Sequence, residues 1–162
     1  MLFQWHVCKV ADMTRPRHVP GAVVRPVVID PAAHRFLLSP ARLQGAEGWS
    51  VPAVPVRAGE SYRKAALRCL RRAADLPGLR IASVVGVLPA VGERGCVEYV
   101  VLARPATGAW QRDVRALLGT GARWWSTAEL RDAGVRVEPD MLPLLMDGYW
   151  EGWLPDGVIS LE

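Results

Sequence analysis

The chain has 162 residues, of which 51% are hydrophobic and 22% charged, and it carries a formal net charge of +4 with a pI near 9.3. This is the length and make-up of one ordinary globular domain with room for a real core. No apolar run approaches the roughly 20 residues needed to cross a bilayer, and no basic leader precedes a small-residue cleavage site, so a cytoplasmic protein with no membrane partner is expected.

The basic balance comes from 18 arginines against 2 lysines in a chain rich in alanine, valine, glycine and proline. That pattern fits a GC-rich coding bias better than a polyanion surface, so nucleic acid is not the expected partner. Cys8, Cys69 and Cys96 are scattered and odd in number, which argues against a disulfide framework. With His6, His18 and His34 they match no common metal-ligand spacing, so no metal and no cofactor is expected.

Residues 1–14 read as an extension or an extra strand, with Met13 as an alternative start, and 15–162 as the main domain. Ala22 to Ile29 is β-branched and apolar, as a buried strand should be. Asp30-Pro31 opens a turn, Arg35 to Ser39 returns as the second strand, Gln44 to Gly48 is expected as a loop, and Trp49 to Val51 as a short strand. Ser61 to Asp75 is the clearest helix, capped by Ser61 and stopped by Pro77-Gly78. Two strands follow, Ile81 to Leu88 and Cys96 to Ala103, joined by a turn at Gly92 to Gly95. Arg123 to Leu130 reads as a strand end and a short capped helix, and Pro139 is expected to begin a final helix reaching about Glu151. This order predicts an α/β fold in which helices cover a mixed sheet.

The segment from Trp49 to Leu76 resembles the Nudix box, whose pattern is Gly, five residues, Glu, seven residues, then Arg-Glu-aliphatic-x-Glu-Glu-x-Gly-aliphatic. Aligned on Gly59-Glu60, the glutamate is Glu60, the arginine Arg68 and the aliphatic positions Leu70 and Leu76. Val54 replaces the first glycine, Cys69 the second glutamate, Arg72 and Ala73 the paired glutamates, and Asp75 the late glycine, so four of nine fixed positions match. The resemblance implies a Nudix-like α/β/α sandwich with a mixed sheet. It also implies that positions 69, 72 and 73 share the helix face that binds magnesium or manganese in catalytic relatives. Three ionised glutamates would carry −3 there, whereas Cys69, Arg72 and Ala73 carry +1. The usual metal-dependent diphosphate hydrolysis is therefore not expected.

Two functions from different classes remain. In the first, the chain binds a nucleotide-like or other anionic small molecule without hydrolysing it. Arg72 then contacts the anion, helped by Arg25, Arg68 and Tyr99. In the second, the chain is a repurposed, metal-independent enzyme of specialised metabolism with Glu60, Glu98 or Cys69 as acid, base or nucleophile. Weak residual hydrolysis of nucleoside diphosphates ranks below both. Each residue also has a plainer role: Glu60 and Arg68 bracing the box loop, Arg72 on a solvated stripe with Lys64, Arg68 and Arg71, Cys69 as a small buried residue, Arg25 in an internal salt bridge. Glu98 and Tyr99 could equally belong to the sheet surface. The C-terminal cluster of Met141, Leu142, Leu144, Leu145, Met146, Tyr149, Trp150 and Trp153 closes the core, lines a stacking pocket or forms a homodimer interface.

Overall fold

A computed structural model of the chain describes residues 22–71, 79–88, 98–105, 121–154 and 157–160. The expectations for residues 1–14, for Arg72, Ala73 and Asp75, and for the turn at Gly92 to Gly95 lie outside the described residues.

Strand β1 (Val23–Asp30) is the hub. Its β-branched run is buried at every position after Val23, so it packs on both faces. It pairs in parallel with β6 (Glu98–Pro105) along residues 23–28. On its other edge it meets β2 (Arg35–Leu43) only at Ile29 and Asp30, and β4 (Val54–Pro55) only at Val23 and Val24. Between these contacts Arg25 to Val28 have no strand partner on that edge among the described residues. Pro26, which lacks an N–H, sits in this interval.

The full sheet runs β8 (Val137–Glu138), β3 (Ala46–Ser50), β2, β1, β6, β5 (Leu79–Leu88) and β9 (Gly157–Ser160). Strand β4 is added on β1, and β7 (Arg123–Trp125) on β2. Antiparallel and parallel pairs are mixed.

Alternation along the strands sends side chains to two helical layers. On one face Ala65, Ala66 and Leu70 of α1 (Tyr62–Arg71) pack against Val24, Val28, Val101 and Ala103. The two alanines let the helix backbone approach the sheet closely. On the other face Leu130 of α2 (Thr127–Ala133) and Leu142, Leu145 and Met146 of α3 (Leu142–Trp150) cover Val27, Ile29, Phe36, Leu38, Val100, Leu102 and Trp125. Each large side chain so buried contributes about 1.5–3 kcal/mol of transfer free energy. The result is the expected α/β/α sandwich on a mixed sheet. No helix among the described residues is long and apolar enough to cross a membrane.

Several local expectations need correction. The loop expected at Gln44 to Gly48 shrinks to Gln44 and Gly45, whose φ values of 50° and 83° suit the two-residue turn of a tight hairpin. Ala46 to Gly48 are therefore already strand. Helix α3 begins at Leu142, not Pro139, and the proline in its first turn is Pro143. Pro139 lies in the preceding turn, where its carbonyl accepts from Leu142 N at 3.0 Å. Strands β4, β8 and β9 were not expected. Of the C-terminal cluster, Leu142, Leu145 and Met146 close the core, whereas Leu144 and Trp153 are exposed.

The start of α2 is a full capping box. Ser126 Oγ accepts from Glu129 N at 3.1 Å, and the Glu129 carboxylate accepts from Ser126 N at 2.8 Å. Replacing Ser126 with Ala should cost about 1 kcal/mol of stability, measured as a lower urea midpoint with an unchanged m value.

Candidate functional site

The box loop and α1 are joined by one ion pair. Arg68, in the third turn of α1, donates through Nε to Glu60 Oε1 at 2.8 Å and through Nη2 to Glu60 Oε2 at 2.9 Å. The same Nη2 also donates to the Pro55 carbonyl at 2.9 Å, tying the helix to β4. Glu60 in turn accepts from Arg57 N at 3.0 Å, across a turn that needs the positive φ of Gly59. Both side chains are largely buried, at 18% exposure for Arg68 and 12% for Glu60. Arg68 is thus folded back into the loop, not spread on a solvated stripe with Lys64 and Arg71. Its hydrogen bonds, joined by that from Arg57 N, hold the Glu60 carboxyl down at about 2, below its ordinary 4.5.

Cys69 follows Arg68 on α1 as a partly exposed thiol. The neighbouring Arg68 guanidinium is already matched by Glu60. Four other cations of the loop and helix, Arg57, Arg63, Lys64 and Arg71, are exposed and form no ion pair among the described residues.

Arg25 and Glu98 lie on the opposite face of the sheet, the one that carries Val27 and Val100. Parallel pairing sets Glu98 beside Val23 and Val100 beside Arg25, so Glu98 meets Arg25 diagonally on one face. Arg25 Nε donates to Glu98 Oε2 at 2.7 Å, and Nη2 donates to Glu98 Oε1 at 3.1 Å. Nη2 also donates to Glu138 Oε1 at 3.2 Å. Glu138 belongs to β8, which lies beyond β3 and β2 in the strand order. It comes within reach because β2 leaves β1 after Ile29 and Asp30, and β8 pairs with the end of β3 at Ser50. The side chains of Arg25, Glu98 and Glu138 are 11%, 34% and 51% exposed.

Tyr99 is one residue from Glu98 and so points to the α1 face. Its ring stacks on Tyr62, the first residue of α1, with centroids 3.6 Å apart and planes 17° from parallel. Burial, and then the hydrogen bond with Tyr62, push its phenol well above its ordinary range.

The expected residues therefore form two groups separated by the sheet: Glu60, Arg68, Cys69 and Tyr99 on the α1 side, and Arg25 with Glu98 on the α3 side. Arg72 lies outside the described residues. Glu138 was missed. Its signal was the short alternation Val135-Arg-Val137-Glu138 before Pro139, a strand pattern too brief to assert without its partner β3.

Because Glu60 titrates lower in the folded chain than in the unfolded one, its pair contributes fully above the ordinary carboxyl pKa of 4.5. That contribution is lost as pH falls toward about 2. Replacing Glu60 with Gln should cost about 1–3 kcal/mol at neutral pH, because Arg68 loses its charged acceptor. The deficit relative to the unaltered protein should narrow between pH 5 and 3 in urea melts, and a deficit constant over that range would contradict the assignment.

No protein-family model matches the sequence, and no curated protein matches it. Solved structures do share its architecture. A UDP-X diphosphatase superposes with a TM-score of 0.58 at 12% identity, covering 90% of this chain and 70% of that one. The Ap4A hydrolase of C. elegans gives 0.55 at 18% identity, covering 82% of this chain and 99% of that one. A Nudix hydrolase from Nitrosomonas europaea gives 0.55 at 16% identity, with coverages of 89% and 81%. At such identities the likeness is one of architecture, and it agrees with the box resemblance from Trp49 to Leu76: the chain has the Nudix fold.

Proposed function

We propose that this chain is a Nudix-fold module that binds an anionic small molecule without metal-dependent diphosphate hydrolysis. The observation that carries the reading is that both carboxylates available for chemistry, Glu60 and Glu98, are held in two-pronged pairs with Arg68 and Arg25. A carboxylate so clamped is a poor proton shuttle, because each oxygen already accepts a charged hydrogen bond. This disfavours the repurposed-enzyme alternative in the form that uses Glu60 or Glu98 as acid or base.

The donor set does not fit a magnesium or manganese site either. Hard cations require several oxygen ligands. The box offers a thiol at Cys69, a guanidinium at Arg72 and a methyl at Ala73, while Glu60 is taken by Arg68. Among the described residues no group of three His, Cys, Asp or Glu side chains is placed to hold a metal. What the region does offer is positive charge, from Arg57, Arg63, Lys64 and Arg71 on the exposed side of the loop and α1. Such a surface complements an anion.

The test is thermal stability against nucleotides, sugar phosphates and small carboxylates, with magnesium and with chelator, followed by product analysis of any ligand that binds. A ligand at about 100 times its Kd should add about 2.7 kcal/mol, and its melting shift should survive chelator without turnover. A shift that requires magnesium would sink the proposal, as would catalytic release of product.

A further inference from the structure

We propose that the end edge of the Arg25 guanidinium is the anion-recognition edge of this protein, and that Glu138 is a built-in competitor which the ligand displaces. The inference rests on the anion-binding reading above, and it places the specific contact at Arg25, across the sheet from the exposed cations of the loop and α1.

An arginine inside a strand buried on both faces needs its N–H groups satisfied. Glu98 takes the side edge of the fork, Nε and one hydrogen of Nη2. Glu138 takes the other Nη2 hydrogen by a single bond of 3.2 Å. Nη1 makes no hydrogen bond among the described residues. The end edge, Nη1 and Nη2 together, is thus half used. A carboxylate or phosphate would take both positions as a two-pronged acceptor.

The two glutamates are unequal. Glu98 is bound twice and Glu138 once, and the Glu138 side chain is already 51% exposed. A half-exposed, single-bonded pair contributes little, and the released carboxylate returns to water at small cost. Glu138 therefore stands where the anionic group of a ligand would stand.

Charge selects the ligand. Arg25 with both glutamates sums to −1. A monoanion that replaces Glu138 at the edge leaves the immediate charge balance of the guanidinium unchanged. A polyphosphate there would set several charges beside Glu98 with no further cation from this cluster. The favoured ligand is a small monocarboxylate.

The experiment is an NMR titration of the full chain with sodium acetate or benzoate at constant ionic strength, following backbone amides and the arginine Nε–H signals, with pyrophosphate as a parallel arm. The carboxylates should shift the Arg25 Nε–H signal. Glu138→Gln should tighten their Kd about 2- to 5-fold, the scale of an exposed ion pair removed as competitor. Asp140→Asn, which removes the same charge from an exposed neighbour, should leave Kd unchanged. Arg25→Lys, confirmed as folded by its amide spectrum, should weaken binding at least about 10-fold, because it keeps the charge and loses the fork. Equal tightening by Glu138→Gln and Asp140→Asn would reduce the effect to general charge and overturn the inference, as would an unchanged Kd in Glu138→Gln. Binding of pyrophosphate without either carboxylate would overturn it and leave the anion-binding reading standing. If no anion binds either protein, both fall.

Discussion

A strand buried on both faces must satisfy every polar group it carries from within, and β1 is such a strand. Its apolar residues serve two helical layers at once: Val24 and Val28 face α1, and Val27 and Ile29 face α2 and α3. Its exceptions are therefore informative. Asp30 ends the strand by accepting from Ala32 N and Ala33 N, which turns the chain into β2. Pro26 sits where that edge of the strand has no strand partner among the described residues. Arg25 is the expensive one, and its cost is met by drawing Glu98 and Glu138 from two other strands. The position of β8 near β1, three places away in the sheet order, goes with that requirement.

The box region shows that scaffold and chemistry are separable within one motif. Glu60 and Arg68 hold the loop to the helix through geometry that involves no ligand, and Leu70 packs into the core between α1 and the sheet. These are three of the four positions at which the sequence keeps the box pattern. Three of the five departures from it, Cys69, Arg72 and Ala73, fall where the pattern has glutamates. Loss of Glu60 would leave the largely buried Arg68 without its charged acceptor.

Legibility in the sequence followed the range of the interaction. The start of helix α1, the short capped helix before Leu130 and strand β1 are written in local pattern, and all three stand where that pattern places them. The tight turn at Gln44 and Gly45 was blurred because glutamine gives little sign of positive φ. Strands β4 and β8, two residues each, exist only through their partners β1 and β3, so no window of sequence could hold them. The roles of Glu60 and Arg68 were visible as one of two options, since an eight-residue spacing across a loop and two helical turns allows a pair without requiring it.

The same distinction explains why the candidate residues did not converge on one place. Glu98 and Tyr99 are neighbours in sequence, and any list built on proximity along the chain joins them. The pleat of β6 sends Glu98 to Arg25 and Tyr99 to Tyr62, on opposite sides of the sheet. Arg25 and Glu138 are 113 positions apart and share a hydrogen bond. What joins them is where β2 parts from β1 and β8 meets the end of β3, a matter of register that depends on the whole sheet. Chemistry-bearing residues can be nominated from sequence by type, but in a sheet protein their grouping is decided by face and by strand pairing. The Arg25 cluster is a product of both: alternation puts Glu98 on its face, and the curl of the sheet brings Glu138 across to it.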